Sequence, residues 1–72
     1  MAFGADQARA ARALLRWNIR KAAAEIGVST HTLSRFEAGK SRPAKGTLLL
    51  IKLTYERHGV EFDVGNGGVR LK

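Results

Sequence analysis

Four polar side chains fall close together in one short segment of the chain. They are Thr30, His31, Ser34 and Arg35. In a helix they share one side, while Leu33 and Phe36, three residues apart, share another. Their hydroxyl, imidazole and guanidinium groups can hydrogen-bond a polar partner, and an arginine can pair with guanine through two hydrogen bonds. The segment therefore predicts a helix with an apolar side facing inward and a polar side facing outward.

Catalytic chemistry is not indicated by the remaining residues. Ser29, His31 and Asp63 are present, but their spacing implies no catalytic geometry. The chain has no cysteine, which removes a thiol nucleophile, a disulfide framework and a Cys-ligated zinc site. His58 lies on a different predicted element from His31, and the glycines of 65–68 lack the helix and lysine of a P-loop. We therefore expect no enzyme, no metal and no cofactor.

Composition points to a small basic domain. The chain has 72 residues, 44% of them hydrophobic, and 13 Lys+Arg against 6 Asp+Glu give a net charge of +7. The longest apolar run, 48–51, is too short to cross a bilayer, and no signal peptide is visible. We expect one cytoplasmic globular domain without membrane contact. Its charge predicts attraction to polyanions, of which nucleic acid is the commonest.

Helix formers and cap residues predict four helices. Asn18 and Ser29 are side chains that cap helix N-termini, and Gly27, Gly39 and Gly59 suit the backbone that ends a helix. The predicted helices are about 6–16, 19–26, 30–38 and 45–58.

The C-terminal segment changes to a period of two. Its apolar residues alternate with charged ones, and a glycine-rich stretch over 65–68 separates the two halves. The alternating residues are Val60, Phe62, Val64, Val69 and Leu71. This pattern predicts a β-hairpin over about 60–72. The expected fold is mostly α: a single compact four-helix domain over 1–72 with a C-terminal β-hairpin.

The second and third predicted helices meet the steric requirements of a tight helix-turn-helix. Ala23 is the small residue needed where two helices cross closely, and Gly27 allows a positive φ in the turn. Leu33 and Phe36 supply the apolar side of the second helix of the pair. No single residue is specific, but their joint spacing is characteristic of this motif.

Over roughly 7–62 the sequence resembles the helix-turn-helix domains of the Xre type, which include phage repressor and Cro proteins. The resemblance rests on the segments ARALLRWN, AAAEIGVSTHTLSRFEAGKSRP, TLLLIKL and GVEF. It implies a bundle of four or five helices whose third helix enters the major groove of double-stranded DNA. It also implies a transcriptional regulator that binds as a two-fold dimer. The ending GVRL is similar to the tails of many small bacterial members.

The resemblance also implies roles for particular residues. The positions that usually touch base edges hold Thr30, His31 and Arg35, with Ser34 beside them. The expected phosphate contacts are Asn18, Arg20, Lys21, Ser29, Lys40, Ser41 and Arg42. The positions of an internal ion pair between the first and third helices hold Arg12 and Glu37.

One departure from the family concerns the start of the second helix. Ile19 stands where the family often has a glutamine that helps to hold a phosphate, and Arg20 and Lys21 follow where acidic or neutral residues are usual. The phosphate contact at this helix is then either ionic or lost.

The fourth predicted helix carries more leucines than its core side needs. Leu48, Ile51 and Tyr55 have the spacing of core residues. Three further leucines point away from that side, and exposed apolar patches usually mark a partner surface. They are Leu49, Leu50 and Leu53.

Three functional interpretations follow. The first is a sequence-specific DNA-binding regulator, expected to bind a palindromic operator as a homodimer through the leucine face or the edge of the hairpin. The second is a protein-binding module on the same scaffold, an anti-activator or an antitoxin, which uses the leucine face to bind a second regulatory protein. The third is non-specific architectural binding of DNA, which the net charge of +7 would also suit.

Overall fold

The computed structural model describes residues 3–63 and 65–72. It confirms the predicted fold class: four helices are followed by a two-stranded antiparallel hairpin. The elements are α1 (Ala5–Leu14), α2 (Ile19–Ile26), α3 (Thr30–Glu37), α4 (Lys45–Arg57), β1 (Val60–Asp63) and β2 (Gly68–Leu71). Val64, which the sequence places in the alternating pattern of the hairpin, lies outside the described residues.

Side-chain caps fix where α2 and α3 begin. The Asn18 side chain accepts a hydrogen bond of 2.8 Å from the Lys21 amide. The Ser29 hydroxyl accepts one of 3.0 Å from the Thr32 amide. Each bond satisfies one of the amides that a helix start leaves without an internal acceptor. Gly27 ends α2 with φ +92°, a conformation that favours glycine.

The first helix ends earlier than the sequence predicts. It stops at Leu14 rather than at residue 16, because Arg16 adopts a left-handed backbone with φ 58°. The Trp17 amide donates to the Arg12 carbonyl at 3.1 Å, and the Arg16 amide donates to the Ala13 carbonyl at 3.0 Å. These two bonds form a Schellman motif, whose left-handed position usually holds glycine.

The last turns of α3 and α4 are one residue shorter than predicted. The structure places Ala38 and His58 as C-caps, outside helices that end at Glu37 and Arg57. Helix ends commonly differ by a residue in this way, and neither difference moves a side chain of the predicted interface.

A carboxylate organises the turn of the hairpin. Asp63 accepts hydrogen bonds from the Gly65 amide at 3.2 Å and from the Asn66 side chain at 3.0 Å. The bond from the Asn66 side chain is the main reason that the pKa of Asp63 lies below its usual value. The strands pair in the register Val60↔Leu71 to Asp63↔Gly68, so Gly68 belongs to β2 rather than to the turn.

The core lies between the helices and the hairpin. The hairpin packs against α1 and α4, while α3 packs against α2 and α1. Alanines occupy the places where helices approach closely, and larger side chains fill the centre. The buried apolar residues are Ala8, Ala11, Ala22, Ala23, Ile26, Leu33, Phe36, Ile51, Tyr55 and Val60. Each helix in the described part of the chain falls short of the length and hydropathy that a membrane span requires.

Candidate nucleic-acid interface

The polar side of α3 faces solvent over its whole length. All four side chains that the sequence places outward are exposed: Thr30, His31, Ser34 and Arg35. On the opposite side Leu33 is fully buried and Phe36 is 2% exposed. The helix is therefore fixed to the core by one side and presents hydroxyl, imidazole and guanidinium groups on the other.

The second helix supports α3 from behind. Ala23 is 2% exposed and Gly27 makes the turn, so α2 and α3 can approach closely. The Val28 amide and the Gly27 amide both donate to the Ala23 carbonyl, at 3.1 and 2.8 Å. These two bonds close the turn between α2 and α3 and fix the direction in which α3 leaves it.

An ion pair also holds α3 to α1. The Arg12 guanidinium donates to both carboxylate oxygens of Glu37, with bonds of 2.8 to 3.1 Å. Arg12 donates as well to the Trp17 carbonyl at 3.1 Å, and Arg9 donates to the Glu37 carbonyl. The Glu37 side chain is 6% exposed, and its bond with Arg12 raises the pKa of that arginine. This pair positions α3 and is not directed toward solvent.

Burial of Glu37 also decides the charge of the exposed side of α3. It is the one acidic residue in α3, and Arg12 neutralises it inside the protein. The outward side of the helix therefore carries no carboxylate, while Arg35 adds a positive charge. Such a surface attracts phosphate groups.

The start of α2 presents backbone amides rather than a polar first residue. Asn18 uses its side chain to cap the helix, and Ile19 is half-buried and packs against the core. The Ile19 side chain therefore cannot hydrogen-bond a phosphate. The first amides of α2 have no acceptor within the helix and lie at the positive end of its dipole, and Arg20 beside them is exposed.

Lys21 is partly engaged within the protein. Its amine lies 3.1 Å from the Glu25 carboxylate and 5.9 Å from the centre of the Trp17 ring. The hydrogen bond from Lys21 is the main reason that the pKa of Glu25 is lowered. Glu25 also lies 3.3 Å from His58 Nε2, and the His58 ring meets the Trp17 ring edge to face at 4.7 Å. No sequence signal indicated that His58 joins this cluster, because His58 is far from α2 along the chain.

The basic loop follows α3 directly. Gly39 turns the chain with φ +73°, and Lys40, Ser41 and Arg42 are exposed beyond it. The Lys40 amide donates to the Arg35 carbonyl at 2.9 Å, and the Arg35 side chain donates to the Lys40 carbonyl at 3.4 Å. The loop and the polar side of α3 therefore form one continuous basic surface.

The described residues contain no group of three or more His, Asp or Glu side chains that could hold a metal ion. The cations on the basic surface belong to Arg and Lys, which bind anions.

Comparison with known proteins places the motif in a family. A family model described as Helix-turn-helix matches residues 9–58, which run from within α1 to the C-cap of α4. The match includes α2, the turn at Gly27, α3 and the basic loop. No curated protein matches the chain.

Proposed function

This chain belongs to the Xre-type helix-turn-helix family of DNA-binding transcriptional regulators, and from that premise we propose that α3 lies in the major groove and reads base edges. The observation that carries the proposal is the division of α3 into two sides. Leu33 and Phe36 fix the helix to the core, whereas its four polar side chains are exposed.

Each exposed side chain suits a particular contact in the groove. Arg35 can donate two hydrogen bonds to one guanine, the commonest specific contact in protein–DNA complexes. Thr30 and Ser34 can hydrogen-bond several bases, and His31 can donate or accept. These side chains read the sequence, and contacts to phosphates set the register.

Phosphate contacts come from both ends of the motif in this proposal. At the start of α2, free amides and the Arg20 side chain bind one phosphate, with Asn18 as the cap. Lys21 contributes less than Arg20, because its amine already lies 3.1 Å from Glu25. Ser29 lies at the start of α3, and the loop after α3 supplies Lys40, Ser41 and Arg42.

One domain makes few base contacts, so we propose that two copies bind a palindromic operator. Half-sites of such dimers are spaced by about one helical turn, ~34 Å. Each strand of a two-stranded hairpin has one unpaired edge. Pairing of two hairpins along such an edge would join two copies in a four-stranded sheet.

Selection from a pool of random duplexes tests the proposal. Purified protein should enrich a palindrome, and its affinity for that site should fall steeply between about 50 and 200 mM salt as counterions are released. The control variant is Lys52→Gln, which removes one positive charge from α4 rather than from the basic surface around α3. Its affinity for the selected site should therefore be close to that of the wild type. Failure to enrich any sequence would contradict sequence-specific binding.

A second function is favoured by one observation. Leu49, Leu50 and Leu53 are 54%, 39% and 42% exposed, which suits a protein-binding module. Leu49→Asp combined with Leu53→Asp separates the two functions. Loss of a protein partner with retained DNA binding would support the second function, whereas an unchanged set of partners and oligomeric state would contradict it.

A further inference from the structure

The outer side of α4 carries an apolar ridge. Leu49 and Leu53 lie one helical turn apart, and Leu50 lies three residues before Leu53, so the three side chains adjoin one another. They are 54%, 42% and 39% exposed, respectively. A contiguous apolar surface of this kind on a small domain marks a site of interaction.

A hollow adjoins this leucine ridge. It has a volume of about 310 Å³, and its apolar lining consists of Phe3, Leu48 and Leu49. Its remaining lining residues are the cations Arg42, Lys45 and Lys52. The volume is at the lower end of the range for small-molecule sites, about 300–1,000 Å³, so it suits one or two side chains of a peptide.

Positive charge borders both the ridge and the hollow. Lys45 and Lys52 lie on one side of the ridge, and Arg57 follows Leu53 by about one turn at the C-terminal end of the ridge. Glu56 is the one acidic residue of α4, and it pairs with Lys52 at 3.8 Å. The rim of the apolar surface is therefore cationic.

This charge distribution identifies the class of partner. A second copy docked through the same face would place one cationic rim against the other, and like charges across an interface are unfavourable. An amphipathic helix with acidic residues beside its apolar stripe would complement both the leucines and the rim. We propose that the leucine ridge and its hollow bind an acidic amphipathic helix of a partner protein.

The partner and DNA would compete for one residue. Arg42 lines the hollow, and it also belongs to the loop that the proposed function assigns to a phosphate. A carboxylate of the bound helix and a DNA phosphate cannot both pair fully with Arg42, so each ligand lowers the affinity for the other by the same factor. This coupling rests on the proposed DNA-binding function, whereas the docking of the helix does not.

A labelled synthetic peptide tests the docking in the absence of DNA. The probe is a helix with Leu at positions i, i+3, i+4 and i+7 and Glu at its other positions. We expect it to bind the wild-type protein, and we expect Leu49→Ser combined with Leu53→Ser to weaken binding at least about tenfold in fluorescence anisotropy. Leu71→Ser is the matched control, because Leu71 is 47% exposed but lies on β2. Circular dichroism establishes that each variant is folded.

Several results would overturn the docking proposal. One is a peptide with Lys in place of Glu that binds as tightly as the acidic peptide. Another is a loss of peptide affinity in the Leu71→Ser variant equal to that in the Leu49→Ser/Leu53→Ser variant. A third is tighter binding to phosphatidylserine vesicles than to the acidic peptide. A fall in the sedimentation mass of the protein on Leu49→Ser/Leu53→Ser substitution would also overturn it, since the ridge would then be covered by a second copy.

Competition with the selected DNA site tests the coupling. We expect the acidic peptide to weaken DNA binding, and Arg42→Gln to remove most of that effect. If the peptide binds but no DNA site can be selected, the proposed function fails and the docking site stands. If DNA binding is specific but the peptide does not bind, the docking proposal fails alone.

Discussion

Replacement of Glu37 by glutamine should destabilise the protein strongly. The substitution keeps the shape of the side chain but removes the charge that Arg12 pairs with, at bond lengths of 2.8 to 3.1 Å. Removing one partner of a buried ion pair costs about 3–5 kcal/mol, because the other charge is left uncompensated. The Arg12 side chain is 27% exposed, and water reaches part of it. We therefore expect a loss at the lower end, about 3 kcal/mol.

That loss is large for a domain of this size. At about 0.05–0.15 kcal/mol per residue, a chain of this length has a free energy of unfolding of about 4–11 kcal/mol. A loss of 1 kcal/mol lowers Tm by about 4–8 °C in a small domain, so Glu37→Gln should lower it by about 12–24 °C.

Urea denaturation followed by circular dichroism measures the effect. The matched control is Glu56→Gln, because Glu56 and Lys52 are 3.8 Å apart and partly exposed. An exposed pair within one helix contributes about 0.3–0.5 kcal/mol, so this variant should unfold almost as the wild type does. Similar losses in the two variants, or a loss below about 1 kcal/mol for Glu37→Gln, would refute the account of how α3 is held.

Two further predictions concern the core and the turns. Burial raises the pKa of Tyr55 from 10.0 to about 12, so the folded state favours the neutral phenol. The contribution of Tyr55 to stability should be constant below pH 10, and about 2–3 kcal/mol of stability should be lost as pH rises from 10 through 12. Absorbance of this single tyrosine should titrate near pH 12 in the folded protein, and a midpoint near pH 10 would contradict its burial. Gly27→Ala should cost about 1–2 kcal/mol because φ is +92°. Gly46→Ala, within α4, should stabilise the protein by up to about 1 kcal/mol. Thermal melts in which both substitutions shift Tm in the same direction would contradict these two expectations.

Local signals in the sequence sufficed for the motif and the fold class. Asn18 and Ser29 are caps that act on amides three residues ahead, and the spacing of Leu33 and Phe36 fixes one side of a short helix. Because these interactions lie within a few residues of one another, they can be read from sequence order alone. The family match confirms the resemblance that they suggested.

Features that no local sequence signal marks were not predictable. The first helix was expected to continue to residue 16, because Arg16 is a good helix former and gives no sign of a left-handed backbone. The contact between Glu25 and His58 could not be foreseen either, since the two residues are far apart along the chain. The half-buried position of Ile19 likewise follows from tertiary packing.

The roles of the exposed residues on α3 remain predictions. Their exposure is a property of the fold, but the contacts that they make with bases come from the resemblance and from the chemistry of the groove.

The most direct test of base reading by α3 compares Arg35→Ala with Lys40→Ala on the selected DNA site and on random DNA. If Arg35 reads a guanine, its loss should cost about 1–3 kcal/mol on the selected site and much less on random DNA. Lys40→Ala should weaken binding to both DNAs about equally, since a phosphate contact carries no sequence information. An equal loss on both DNAs for Arg35→Ala would contradict the claim that α3 reads sequence through this residue.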